Sequence, residues 1–96
     1  MPASVARVAM EQPRRYLGQL CRHFAHRLPV TLAETSGSIA FPAGTCALAA
    51  EGDVLALRIE AADPAALPGL EDVVARHLLR FAFRDPPEVS WAREAG

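Results

Sequence analysis

The residues that could do chemistry are concentrated between Arg14 and Arg27, in the string RRYLGQLCRHFAHR. It holds four arginines and two of the chain's three histidines, with no acidic residue between Glu11 and Glu34. Arginine is a permanently charged planar fork that binds carboxylates and phosphates through paired hydrogen bonds. The string therefore predicts a surface that binds an anion, and the alternative is a solvated helix face. The candidate ligand-binding residues are Arg15, Tyr16, Arg22, His23, His26, Arg27 and, further along the chain, His77.

The histidines raise a second hypothesis, a transition-metal site. His23 and His26 are three residues apart, so on a helix both could reach one ion. Cys21 would point about 160° away from His23 on the same helix, so the Cys-x-His-x-x-His string cannot chelate as a unit. Two ligands do not make a zinc site. The metal candidates are therefore His23, His26 and His77 together, and the alternative is that His26 is a solvated surface histidine.

His77 occurs in a second predicted helix, at the edge of its apolar stripe. A half-buried imidazole in such a position usually has a hydrogen-bond partner and a structural role. A ligand role is the alternative. If the two helices lie side by side, His77 and His23 would border one groove. This groove is the leading candidate for a binding site.

Nucleophilic catalysis finds no support in the sequence. Cys21 and Cys46 both fall on apolar faces, where free cysteines behave as small hydrophobic residues. The serines do not occupy an elbow-like turn, and no glycine-rich phosphate loop is present. A chain of 96 residues also has few places from which to exclude water. We therefore expect a protein that is not an enzyme and that needs no cofactor.

The elements that must position these residues begin with a strand over Ser4–Met10, where apolar residues alternate. A helix follows over Arg14–Arg27, with Pro13 at its start and Pro29 closing it. Its apolar residues recur at spacings of three and four and form one buried face. They are Leu17, Leu20, Cys21, Phe24 and Leu28.

The middle of the chain alternates with period two and is divided by short turns. Connections this short force neighbouring strands to be antiparallel, as a meander. The predicted strands are Val30–Leu32, Ser38–Phe41, Thr45–Ala50 and Val54–Glu60.

A second helix is predicted to begin with Asp63 as its N-cap and Pro64 in its first position. Pro68 and Gly69, one turn later, should kink this helix or restart it. The run Val89–Trp91 predicts a last, edge strand. The order is then β-α-β-β-β-β-α-β, a two-layer α+β fold in which two helices pack on one face of an antiparallel sheet, as a single domain over residues 1–96.

Composition excludes several classes of protein. The net charge of -1 argues against a nucleic-acid-binding protein, and no apolar run is long enough to span a membrane. Two cysteines are too few to stabilise a small secreted domain, and the first residues lack the apolar region of a signal peptide. We expect a cytoplasmic protein. Its partner would be an anionic small molecule, an acidic protein surface or a second copy of the chain. In such a homodimer Trp91 and the outward-facing Ala40, Ala47 and Ala56 would lie in the interface.

The chain resembles the bacterial family called domain of unknown function 2218, from about Val5 to Trp91. The resemblance is carried by the first helix, by the Gly44-Thr45-Cys46 strand start, by segments of the second helix and by the late Trp91. The matching strings are Arg15-Tyr16-Leu17, Gln19-Leu20-Cys21-Arg22-His23-Phe24, His26-Arg27, Leu70-Glu71-Asp72-Val73-Val74, His77-Leu78 and Arg80-Phe81-Ala82-Phe83-Arg84. The main departure is Pro68, which puts only the regularity of the second helix in doubt.

The resemblance implies little about activity, because the family has none established, and it supplies no catalytic residues. It implies a small stand-alone bacterial domain, sometimes associated with siderophore-interacting reductases. A link to iron handling is therefore an expectation. The three hypotheses are a binding module for an anionic partner, a histidine metal site and a structural homodimer, of which the first is preferred.

Overall fold

Six antiparallel strands form one sheet, and two helices pack on one of its faces in the computed structural model, which describes residues 1–94. The strands are β1 (Ala3–Ala9), β2 (Val30–Leu32), β3 (Ser36–Phe41), β4 (Gly44–Glu51), β5 (Val54–Glu60) and β6 (Ala92–Glu94). The helices are α1 (Pro13–Phe24) and α2 (Leu67–Phe81), and a 3₁₀ turn at Pro64–Ala66 precedes α2. The predicted two-layer α+β fold and its element order are confirmed.

The strand order in the sheet is β2-β3-β4-β5-β1-β6, so the four central strands of the sequence form the predicted meander. Register places apolar residues of neighbouring strands opposite one another. Ile39 pairs with Cys46 and Cys46 with Ile59, and all three are 0–1% exposed. This row lies on the face that the helices cover, as the period-two pattern predicts.

Helix α1 buries the centre of the stripe that its spacing predicts, and α2 buries an apolar stripe of its own. In α1 the residues Leu17, Leu20 and Cys21 are almost fully buried, and in α2 Val74 and Leu78 are as well. These side chains join the inward row of the sheet in one hydrophobic cluster. The helices are therefore held side by side over the same core.

Helix α1 ends at Phe24, three residues before the predicted end at Arg27. The N–H groups of Arg27 and Leu28 both donate to the carbonyl of Phe24, at 3.1 and 2.9 Å, and close a turn. Because β2 begins at Val30, the chain must change direction in this segment. His26 therefore lies in a turn and not on the helix, and its predicted helical position was wrong.

The sequence left open whether Pro68 and Gly69 kink the second helix or restart it, and the structure shows a restart. Asp63 accepts a hydrogen bond from the backbone N–H of Ala65 at 2.9 Å, but it caps the 3₁₀ turn and not α2. Helix α2 restarts at Leu67 with Pro68 in its first turn, where the missing N–H costs nothing.

The last strand is displaced from its prediction. Strand β6 pairs Ala92–Glu94 with the start of β1, whereas the predicted Val89–Trp91 segment is not a strand. Trp91 instead packs against the hydrophobic cluster. The Trp91 side chain covers the edge of the core, and backbone pairing with β1 begins at the next residue, Ala92. No helix in residues 1–94 is long and apolar enough to cross a membrane.

Candidate functional site

The structure brings His23 and His77 together, as side-by-side packing of the helices predicts. Their ring centroids lie 4.9 Å apart, with the ring planes at 41°. His23 is in the last turn of α1, and His77 lies one turn before the end of α2. Two helices that are distant in the sequence therefore present imidazoles to one place.

A cleft of about 600 Å³ opens beside this histidine pair, and we call it the histidine cleft. It is formed by the end of α1, the turn that follows, the last residue of β3 and one residue of α2. The residues that line it are His23, Phe24, His26, Arg27, Leu28, Phe41 and His77. Four of the seven predicted ligand-binding residues are thus in one cleft, namely His23, His26, Arg27 and His77.

One wall of the histidine cleft is aromatic. Phe24 packs edge-to-face on Phe41 with centroids 5.2 Å apart, and its ring lies 4.9 Å from that of His77. His23 packs edge-on against Phe24 and Phe81, at 5.1 and 5.6 Å. Such edge-to-face contacts are the favoured geometry for aromatic rings. The histidines are therefore held by ring packing.

The backbone fixes the tautomer of His77. Its Nδ1 lies 2.7 Å from the carbonyl oxygen of Val73, one turn earlier in α2. A carbonyl can only accept, so Nδ1 carries the hydrogen and donates. In the neutral ring Nε2 then holds the lone pair, and it takes up the proton when the ring becomes cationic. His77 is half-buried and hydrogen-bonded, as the sequence predicts for a structural residue.

The electrostatic environment of the cleft is positive. Removal of the His23 ring from water lowers its pKa below the ordinary 6.5, and the positive charges of His77, His26 and Arg80 lower the pKa further. Arg80 lies next to the cleft, where it lines with Arg76 and His77 an adjoining recess of about 270 Å³. His77 lines both concavities, which therefore adjoin at this residue.

Two arginines of this region, Arg27 in the cleft and Arg80 in the adjoining recess, are free of ion pairs within the described residues, whereas Arg76 pairs with Asp72. Within residues 1–94, Arg27 and Arg80 make no salt bridge, and no acidic residue lines the histidine cleft. The arginines that do form ion pairs there are Arg7, Arg14, Arg58, Arg76 and Arg93. The cleft therefore has positive charge that the described part of the chain does not neutralise.

Three predicted residues lie elsewhere. Arg15 contacts the Tyr16 ring, 5.9 Å from its centroid, and Tyr16 lines a different concavity at the start of α1. Arg22 folds over Gly18 on the helix surface, so that a Cβ added there would lie 2.9 Å from both of its terminal nitrogens. These three side chains share the first helix with the histidine cleft but do not line it.

The described residues do not supply a set of ligands for the predicted metal site. Among residues 1–94 there is no group of three His, Cys, Asp or Glu side chains placed to hold an ion. Cys21 is 0% exposed whereas His23 is exposed, so the two point apart as predicted. His23, His26 and His77 share a cleft without forming such a group.

The sequence prediction missed four residues of this region, namely Phe24, Leu28 and Phe41 in the cleft and Arg80 beside it, although Phe24 and Leu28 were predicted as apolar residues of the first helix. Arg80 is three residues after His77, and this spacing alone places the two on adjoining positions of one helix. Phe41 carries no such signal. Its contribution depends on where β3 ends relative to α1, which only the packed structure shows.

The outward face of the sheet is a separate surface. Val5, Ala47, Ala49 and Ala56 form a shallow depression of about 340 Å³ there, bounded by arginine side chains. Ala40, Ala47 and Ala56 lie on this face as predicted, but Trp91 packs against the core cluster and does not belong to it. The homodimer stays a prediction, and sedimentation at high concentration is its test.

The fold and the cleft define a class: a small two-layer α+β module with an open, aromatic and positively charged cleft. The chain belongs to the family described as "Uncharacterized protein conserved in bacteria" (DUF2218), whose model matches residues 5–92. It is similar to PA4090 from Pseudomonas aeruginosa, solved by NMR, with 33% identity, a TM-score of 0.81 and 96% of each chain covered. No significant match is found among curated proteins.

Proposed function

We propose that this protein is a non-enzymatic binding module whose histidine cleft holds an anionic ligand. The observation that carries the proposal is the unneutralised charge of the cleft. Arg27 and Arg80 make no ion pair within residues 1–94, and His23, His26 and His77 line the same two concavities. A concave surface with one sign of charge raises the local concentration of ligands of the opposite sign.

An anion fits this cleft better than a metal ion. Removal from water is the main cause of the lowered pKa of His23, and the positive charges of His77, His26 and Arg80, which lower it further, would also repel a metal cation. The carboxylates that usually balance such a cation are absent from the residues lining the cleft in the described structure. Guanidinium and imidazolium groups suit an anion, because they donate charge-assisted hydrogen bonds.

The open cleft also favours binding over catalysis. The residues that line it within residues 1–94 include no serine, threonine or cysteine that could act as a nucleophile. Both cysteines are fully buried. We therefore propose a carrier or accessory role, with recognition through charge and ring packing.

The link to iron handling belongs to this proposal. The family resemblance implies an association with siderophore-interacting reductases, and ferric siderophores often carry negative charge. A positively charged cleft would attract such a complex, or an acidic surface on a partner protein. The two ligands share the anionic chemistry that the cleft would recognise.

The test uses citrate as a small polyanion, followed by NMR titration of the isotope-labelled full chain. We expect saturable shifts at the histidine cleft, and a severalfold loss of affinity between about 20 and about 300 mM salt. The double variant Arg27→Gln/Arg80→Gln should bind about tenfold more weakly. Arg15→Gln is the matched control, because Arg15 is exposed and outside the cleft. Equal affinity at both salt concentrations, or no loss in the double variant, would overturn the proposal.

A further inference from the structure

The histidine cleft has a property that its charge does not explain, namely an aromatic wall. Phe24 and Phe41 both line it, and both are only partly buried by the protein. The rings of His23 and His77 complete the same wall, within 4.9–5.2 Å of Phe24 or of each other. A binding site for an inorganic anion alone would not need so much apolar surface.

The size of the cleft agrees with an organic ligand. Small-molecule sites typically enclose about 300–1,000 Å³, and the cleft of about 600 Å³ falls within this range. Such sites are mostly apolar, with a few polar groups that fix orientation. Here Leu28, Phe24 and Phe41 are the apolar part, while Arg27 and the histidines are the polar part.

We propose that the ligand of this cleft is an aromatic acid, a planar ring system that carries a carboxylate or a similar anionic group. The inference rests on the proposed function and deepens it by naming the ligand class. The ring would pack on Phe24, Phe41 and His77, in the offset or edge-to-face arrangements that aromatic rings prefer. The anionic group would bind Arg27 or Arg80 at the rim.

The ligand needs both its aromatic ring and its anionic group to match the cleft. A neutral aromatic compound would leave the arginines without a partner, and a non-aromatic anion would leave the ring wall exposed to water. Arg27 belongs to the turn after α1 and lines the cleft, whereas Arg80 belongs to α2 and lines the adjoining recess, so His77 has an arginine in each of the two concavities that it lines. An acid could therefore pack its ring on the wall and bind either arginine through its charge.

The experiment compares matched probes by NMR titration of the full chain. The aromatic acid is 2-naphthoate, and the control of equal charge and similar size is its saturated bicyclic analogue, decahydronaphthalene-2-carboxylate. Citrate is the non-aromatic polyanion. We expect 2-naphthoate to bind about fivefold or more tightly than the saturated acid, with contacts between its ring protons and those of Phe24 and His77.

Variants separate the aromatic wall from the charge. Phe41→Leu should weaken 2-naphthoate severalfold more than it weakens citrate, because only the aromatic acid loses a ring contact. Phe83→Leu is the matched control, since Phe83 is 67% exposed and does not line the cleft. The ring-proton contacts in the wild-type protein provide a readout that does not depend on how well Phe41→Leu folds.

The outcomes distinguish this inference from the proposed function. If citrate binds through the arginines but 2-naphthoate and its saturated analogue bind equally, the aromatic inference is overturned and the anion-binding module stands. If 2-naphthoate binds without contacts to Phe24 or His77, the inference is also overturned. If none of the three anions binds, both proposals are overturned.

Discussion

The imidazoles of His23 and His77 lie in ring contact, with centroids 4.9 Å apart, although they belong to different helices. The hydrogen bond to the carbonyl of Val73 fixes the ring of His77, and edge-on packing against Phe24 and Phe81 fixes that of His23. Removal of the His23 ring from water lowers its pKa, and the positive charge of the neighbouring His77 lowers this pKa further. A bound anion would oppose both effects by favouring the charged form of His23.

Anion binding should therefore depend on pH. Because protonated His23 attracts an anion more strongly, binding takes up a proton there, and affinity for an anion of constant charge such as sulfate should rise as pH falls below 6.5 through the lowered pKa of His23. The positive groups His77, His26 and Arg80 face His23 and contribute to the same field. Titration of the full chain at several pH values measures the slope.

The variant His23→Gln should reduce that pH dependence without abolishing binding, because Arg27 and Arg80 remain. The control is Arg15→Gln, which should keep the wild-type slope. A constant affinity across this pH range in the wild-type protein would show that the histidine pair does not take part.

A polar contact on the other side of α2 fixes the helix to the sheet. The hydroxyl of Ser4, which is fully buried, donates to Oε2 of Glu71 at 2.5 Å. Arg93 in β6 donates to both carboxylate oxygens, at 2.8 and 3.1 Å. The side chain of Glu71 is only 14% exposed, whereas that of Arg93 is 50% exposed, so water screens the ion pair from the Arg93 side while the carboxylate stays mostly covered.

Glu71→Gln should lower the free energy of unfolding by about 1.5–3 kcal/mol, because a charged hydrogen-bond acceptor is lost from a mostly buried position. Asp72→Asn is the matched control in the same helix turn. Its ion pair with Arg76 is exposed and 3.7 Å long, so we expect a loss of at most about 0.5 kcal/mol. Denaturant unfolding measures both, and equal losses would contradict the assignment.

The contact between Glu71 and Arg93 should make the free energy of unfolding depend on pH in the acid range. The hydrogen bonds from Arg93 hold the pKa of Glu71 below its ordinary 4.5 despite partial burial. The stability is therefore fully present above pH 4.5 and is lost as pH falls through the lowered pKa. Glu71→Gln should flatten this part of the stability profile.

The sequence predicted what depends on local pattern. The period-two alternation predicts one inward face on each strand, and the structure places Ile39, Cys46 and Ile59 on it. The spacing in the first helix predicts its buried face, and Leu17, Leu20 and Cys21 are buried there. The end of α1 could not be read from the same spacing, because it is set by the position of β2. His26 and Arg27 therefore reached the cleft through a turn that the helical pattern does not describe.

The site was predicted in part for the same reason. His23 and His77 follow from the faces of two helices and from the assumption that these pack side by side. Phe41 joins them through the length of β3, a tertiary property with no local signal. Arg15 and Arg22 show the converse, since charge in the same string did not place them in the same cleft.

Both thiols should be unreactive in the folded protein. Cys21 and Cys46 are 0% exposed, and burial raises the pKa of Cys46 to about 12 and that of Cys21 above 9.0. Only a thiolate attacks a disulfide reagent at a useful rate. We expect no labelling by Ellman's reagent at pH 8 until the chain is unfolded in guanidinium, when two thiols per chain should react. Rapid labelling of either residue in the native protein would contradict their burial.

Replacement of Gly37 and of Gly69 by alanine should change the free energy of unfolding in opposite directions. A Cβ at Gly37 in β3 would lie 2.7 Å from Sγ of Cys21 and 3.0 Å from the carbonyl oxygen of Thr31, both held by the core or the sheet. Gly37→Ala should therefore lower the free energy of unfolding by about 1–3 kcal/mol through overpacking. Nothing lies within 4 Å of a Cβ at Gly69, in the first turn of α2.

Gly69→Ala should raise the free energy of unfolding by about 0.4–1 kcal/mol, because alanine restricts the unfolded chain and suits a helix. Guanidinium unfolding of the two variants beside the wild type makes the comparison. The contrast depends on how closely α1 packs on β3, since Cys21 is what the new methyl group would meet. A neutral Gly37→Ala would mean that α1 can move away from the sheet, and the cleft at its end would then have no fixed wall.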